Sequence, residues 1–182
     1  MERVKKEHKE EIMKRIIEAG NPENYETSWS EKGIPISKKK SEVKKGRKSR
    51  AAGSRFELKV RQDLENKDRI VDKWTNNVDL EKGKVVAAKR KYNPFKKMLV
   101  VGTGFPDFIS IKQIHEGAHS IIGVEVKMNG ILSKEEKEKC VWYLQKGVFS
   151  RIWIAKAIRR GKKIEIEYND FQEKHGKKYN KK

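Results

Sequence analysis

A single cysteine, Cys140, stands in the sequence, so no disulfide can form within the chain and no disulfide scaffold holds the fold. Long apolar runs are missing too. The longest, Met98 to Val101, falls far below the roughly 18 residues that a membrane-spanning helix needs, so no membrane partner is expected. The opening Met1-Glu2-Arg3-Val4-Lys5-Lys6 lacks the apolar stretch of a signal peptide, and the expectation is an intracellular, cytoplasmic protein, nucleoid-associated if prokaryotic. Acidic residues are scarce beside basic ones: 26 Asp and Glu against 45 Lys and Arg leave a net charge of +19. That excludes the near-neutral surface of an ordinary metabolic enzyme and points to a polyanionic partner. Hydrophobic residues make up only 35% of the 182, enough for a small core in one domain with extensions.

Along the chain, Val4, Ile12, Met13, Ile16 and Ile17 recur at helical spacing over residues 2–19, and Gly20-Asn21-Pro22 marks a stop. The narrow stripe could dock on the main domain or on a second subunit. Residues 21–37 show no period and read as irregular. Lys38 to Arg55 then holds nine basic residues against one acid, Glu42, and is expected to stay mobile until an anion binds it. Phe56, Val60 and Leu64 predict a helix over Ser54 to Asn66 that packs on a sheet. Strands are expected at Ile70–Asn76, Val85–Ala88, Phe95–Val101, Phe108–Ile111, Ile121–Lys127 and Arg151–Ala157. A helix over Ser133–Lys146 precedes the last of these. Ile164, Ile166 and Tyr168 alternate with acids as in an edge strand, and the tail from Asn169 reads as frayed. The result is an N-terminal helix (1–20), an irregular basic arm (21–52), an α/β domain with a central mixed sheet flanked by helices (53–168) and a basic tail (169–182).

The strand Ile121-Ile122-Gly123-Val124-Glu125-Val126-Lys127 is apolar except for Glu125 and Lys127, which project from one face. Burying a carboxylate and an ammonium is costly unless they are paired or ligate a metal. A structural ion pair is one reading. The other starts from Gly104-Phe105-Pro106-Asp107, eighteen residues upstream, where Asp107 opens a neighbouring strand. Adjacent antiparallel strands would bring Asp107 near Glu125. Two carboxylates and the backbone carbonyl of Val126 make a hard oxygen site suited to Mg²⁺, with Mn²⁺ as a substitute.

Pro106-Asp107 followed by Glu125-Val126-Lys127 resembles the PD-(D/E)XK nuclease superfamily, whose fold is restriction-endonuclease-like. Gly130-Ile131-Leu132-Ser133-Lys134-Glu135-Glu136-Lys137 is similar to the segment after that motif in virus-type replication-repair nucleases. Gly53-Ser54-Arg55-Phe56-Glu57 resembles the first-helix motif of archaeal Holliday-junction resolvases. The resemblance covers roughly residues 53–157. It implies that Asp107 and Glu125 ligate the metal, that Lys127 positions or activates the attacking water, and that Glu57 assists a metal or orients its waters. It also implies a DNA substrate, branched by analogy, with RNA left open, cleaved to a 5′-phosphate and a 3′-hydroxyl. The resolvase resemblance alone points to a homodimer. One departure is that Glu136 stands where replication-repair nucleases commonly carry Gln. Both Ser54-Arg55-Phe56-Glu57 and Ser133-Lys134-Glu135-Glu136 also fit capping boxes, in which the Glu only closes a helix start.

Lys44, Lys45, Arg47, Lys48, Arg50 and Arg55 are the candidate phosphate contacts of the arm. Lys89, Arg90 and Lys91 are those of a second basic segment, Lys84 to Lys97, where Tyr92 and Phe95 could stack on bases. His115 and His119 flank Gly117 and read as surface residues, and Cys140, Trp142, Tyr143 and Trp153 as packing residues. The rival to an endonuclease is a nonenzymatic basic nucleic-acid-binding module on the same fold. Metal-independent RNA cleavage by a histidine ranks behind both.

Overall fold

In the computed structural model, residues 6–29, 35–88, 91–93, 98–100, 104–161 and 163–179 are described. The chain divides into two compact units, Met1–Ala52 and Gly53–Lys182. The first holds α1 (Lys6–Gly20), β1 (Tyr25–Trp29), β2 (Pro35–Lys39) and the start of α2 (Lys40–Glu65). β1 and β2 form an antiparallel hairpin from Tyr25↔Lys39 to Trp29↔Pro35, where the sequence reads as irregular. The basic run from Lys38 is not a loose arm either: from Lys40 onward it is helical and continuous with the helix expected at Ser54. Lys, Arg, Glu and Ala are good helix formers, and that preference outweighs the repulsion among the cations.

The second unit is built on a five-stranded mixed sheet of order β11-β10-β9-β8-β3, comprising β3 (Ile70–Lys73), β8 (Phe108–His115), β9 (Ala118–Lys127), β10 (Arg151–Arg160) and β11 (Lys163–Asp170). Only β9 and β10 pair in parallel, because α3 (Lys134–Gln145) carries the chain back between them. The expected edge strand is β11, at the rim of the sheet. Two short antiparallel pairs, β4 (Asn76–Asp79) with β5 (Lys84–Ala87) and β6 (Lys91–Asn93) with β7 (Met98–Val100), separate β3 from β8. The tail is not frayed from Asn169: β11 runs to Asp170 and α4 (Phe171–Tyr179) follows, anchored by buried Phe171.

Strand alternation sorts the core into two layers. On one face Phe56, Val60 and Leu64 of α2 pack with Val71, Phe108, Ile122, Val124 and Ala155. On the other, Cys140 and Tyr143 of α3 pack with Phe149, Ile152, Ile154 and Phe171. Ser110, fully buried, is satisfied by the Arg69 guanidinium at 2.7 Å, and Arg69 lies over the Trp153 ring. Among the described residues no helix is long and apolar enough to cross a membrane.

Candidate active site

Antiparallel pairing of β8 with β9 sets Phe108 opposite Val124, so Asp107, one residue before β8, comes level with Glu125. Two hydrogen bonds tie this point of the strands together: the Val126 N–H donates to Asp107 Oδ2 at 2.8 Å, and the Asp107 N–H donates to Glu125 Oε2 at 3.2 Å. The Gly104-Phe105-Pro106 approach needs its small residue. A Cβ on Gly104 would lie 2.1 Å from the Trp74 carbonyl oxygen and 2.4 Å from that of Asn76. The Phe105 N–H donates to Asn76 O, the Trp74 N–H donates to Asp107 O, and Pro106 sits over Gly123, where a Cβ would meet its Cγ at 2.8 Å. Gly104 and Gly123 thus let a backbone segment press onto β9 and hold Asp107 in place.

On β9, Val124 and Val126 face α2, so Glu125 and Lys127 face α3. Lys127 Nζ lies 3.0 Å from Glu125 Oε1 and 2.7 Å from Glu136 Oε1. Glu136 is in the first turn of α3, and its other oxygen accepts from the Ser133 N–H at 2.7 Å while Ser133 Oγ accepts from the Glu136 N–H. The capping box read from the sequence is therefore present, and the same Glu is also a partner of Lys127. The parallel reading of Glu57 as a cap does not hold. Ser54 lies well inside α2 rather than at a helix start, so Glu57 closes no helix. It raises the Asp107 pKa instead, which places its charge within electrostatic reach of the pair.

Burial pushes the Asp107 carboxyl up to about 6, and the Glu57 charge adds to this. Burial and then the neighbouring Asp107 push Glu125 up to about 8. Both shifts run toward the protonated form, so near neutral pH the pair holds more proton than two free carboxyls would. Burial works against the Lys127 ammonium, but Glu136 and Glu125 outweigh it and hold its pKa well above the usual lysine value. Burial also opposes the Glu136 carboxylate, yet the hydrogen bonds from Lys127 and Ser133 keep it below the usual range.

Buried Glu125 and half-buried Asp107 thus stand beside one ammonium, which Glu136 also engages. Asp107, Glu125 and the Val126 carbonyl are hard oxygen donors, the chemistry that Mg²⁺ or Mn²⁺ takes, with water and phosphate oxygens completing the shell. Among the described residues no group of three or more His, Cys, Asp or Glu stands ready as a cage.

Of the basic candidates, Lys44, Lys45, Arg47, Lys48, Arg50 and Arg55 are all exposed on α2. Arg47 lies 3.8 Å from Glu26, and Arg50 lines a cleft between the hairpin and α2. Lys89, Arg90 and Phe95, and the side chains of Lys91 and Tyr92, lie outside the described residues. His115 and His119 are exposed, and buried Cys140, its thiol pushed up by burial, belongs to the core. Two cations near these residues escaped the sequence reading: Lys73, whose charge acts on Asp107, and Lys156, which stands beside Lys127 in the parallel register. Only strand pairing reveals them. Compared with protein-family models, curated proteins and solved structures, the chain matches none.

Proposed function

We propose that this chain is a Mg²⁺-dependent endonuclease of the restriction-endonuclease-like, PD-(D/E)XK class that hydrolyses phosphodiester bonds in DNA. The observation that carries the reading is buried Glu125 beside half-buried Asp107, whose N–H donates to Glu125 Oε2, with Lys127 at 3.0 Å from Glu125. The pKa of each carboxyl is displaced upward, first by burial and then by the charge of neighbouring carboxylates, the kind of perturbation that gathers at functional sites. Bound Mg²⁺ would supply the Lewis acid that acidifies water and offsets charge on the phosphate. Asp107 and Glu125 would hold it, with the Val126 carbonyl as a third donor.

Lys127 Nζ, fixed between Glu125 and Glu136, would orient the attacking water and keep its own proton throughout, given its raised pKa. Glu57 would orient waters near Asp107. The exposed basic residues of α2 would contact phosphates, so binding should weaken steeply with salt. Branched DNA, in repair, recombination or replication, is the substrate favoured by the motif resemblance.

A specific observation favours the rival binding module: Lys127 is already engaged by two carboxylates, as a purely structural cation would be. The two readings separate on end-labelled four-way junction, flap, duplex and single-stranded DNA with Mg²⁺, Mn²⁺ or EDTA. The nuclease reading expects metal-dependent cuts that Asp107→Ala and Glu125→Ala abolish in folded protein. Binding without cleavage of any DNA or RNA would leave the module. Full activity in either variant would remove the assigned site.

A further inference from the structure

With its two short contacts to Glu125 and Glu136, Lys127 has little capacity left for a substrate phosphate. The next cation on the same face is Lys156. β10 pairs with β9 in parallel, and Lys156 beside Lys127 is the last pair of that ladder, level with the carboxyl end of β9, on the side where open α/β sheets bind ligands. Ile152 and Ile154 pack with α3 while Ala155 and Ala157 face α2, so alternation directs Lys156 to the side of Glu125 and Lys127.

Its stem is held by a specific device. Gly130 has φ +67°, and a Cβ there would meet Lys156 Cδ at 2.8 Å, Cγ at 3.0 Å and Cβ at 3.1 Å. Glycine lets the methylenes lie against the chain just after β9, so much of the ordering entropy of a long side chain is already lost before any ligand arrives. Lys156 is half-buried, yet among the described residues no carboxylate forms an ion pair with it. A long cationic side chain whose stem is already held, on the strand next to Lys127 and with no ion pair among the described residues, suits an anion that comes with the substrate.

We propose that Lys156 is the phosphate-contacting cation of this site, its ammonium pairing with one backbone phosphate of DNA next to the bond that is cut. This rests on the nuclease reading. The test compares Lys156→Met, which keeps the stem, and Lys156→Arg, which keeps the charge, with the wild type, after thermal melts establish that each is folded. Binding to duplex and four-way junction DNA is measured in EDTA across salt concentrations, and kcat/KM with Mg²⁺.

For Lys156→Met the salt slope should fall by about one phosphate contact and kcat/KM by roughly tenfold to a hundredfold, with Arg restoring most of both. A single uncharged methylphosphonate walked along the positions flanking the cut should slow the wild type at one position and leave Lys156→Met unaffected there. Gly130→Ala should mimic Lys156→Met and add nothing to it. If wild type cuts DNA and Lys156→Met matches it in slope and rate, Lys156 has no such role and the nuclease reading stands. If wild type binds but never cuts, both fall together.

Discussion

Replacing Glu125 by Gln should make the metal-free protein more stable while abolishing cleavage. At pH 7 the native Asp107–Glu125 pair retains a proton that the unfolded chain, with a Glu value near 4.5, has already released. Holding that proton costs about 3 kcal/mol, from about 1.4 kcal/mol for each pH unit between the unfolded value and neutrality. Gln removes the charge that forces the proton on the pair. Its single carbonyl cannot serve both the Asp107 N–H and Lys127, a loss of about 1 kcal/mol. The net gain is about 2 kcal/mol, or roughly 4–8 °C in melting temperature for a chain of this length. The folded pKa is raised, so the wild-type penalty is absent below 4.5, grows as pH rises, and levels off above about 8. Urea midpoints in EDTA at pH 5 and pH 8 read this directly: the advantage of Glu125→Gln should be small at pH 5 and full at pH 8. A variant less stable than wild type at pH 8, or an advantage equal at both pH values, would refute the reasoning.

Mg²⁺ binding should expel the retained proton. Calorimetric titration at pH 7 in buffers of different ionisation enthalpy should show about one proton released per site, and no release would contradict a retained proton. Gly104→Ala should cost several kcal/mol or fail to fold, because its Cβ would meet only backbone atoms of Trp74 and Asn76; a loss under about 1 kcal/mol by urea denaturation would show that the segment yields easily. Tyr168→Phe removes the hydroxyl that donates to Asp63 at 2.7 Å. Burial opposes the Asp63 charge, but Lys67 and Tyr168 hold its pKa below the usual value, so this stabilisation is present above the carboxylate range and is lost as pH falls through it. The expected cost is about 1 kcal/mol at pH 7, fading toward pH 3; a cost independent of pH would assign it to packing alone.

Much of the second unit could be read from residue spacing because its elements bury one face. Val124, Ile152 and Ile154 alternate with other residues, Phe56, Val60 and Leu64 recur every four, and Ser133 with Glu136 marks the start of α3. The hairpin Tyr25–Trp29 with Pro35–Lys39 left no such trace. Its described side chains are nearly all exposed or half-buried, so what holds it is backbone pairing, which has no hydropathy signature. The basic start of α2 misled for a related reason: an exposed helix needs only propensity, and charge repulsion is screened in solvent. At the site, the approach of Asp107 to Glu125 follows from two neighbouring strands and a short turn. Lys156 and Lys73 do not, because each reaches the site through register with a strand distant in sequence. The capping reading of Glu57 failed since it depended on where α2 begins, fourteen residues before Ser54 by the observed start at Lys40.

Glu136 gives one oxygen to the first turn of its own helix and the other to Lys127. The start of α3 and the lysine of the candidate site thus share one carboxylate, and neither can be rearranged alone. When the first turn of α3 opens, Lys127 keeps Glu125 as its only clamp; when Lys127 swings toward a ligand, the cap loses the cation that fixes its Glu. Fraying at that helix end becomes an event at the site, and amide exchange at Ser133 and Glu136 should register whatever Lys127 binds.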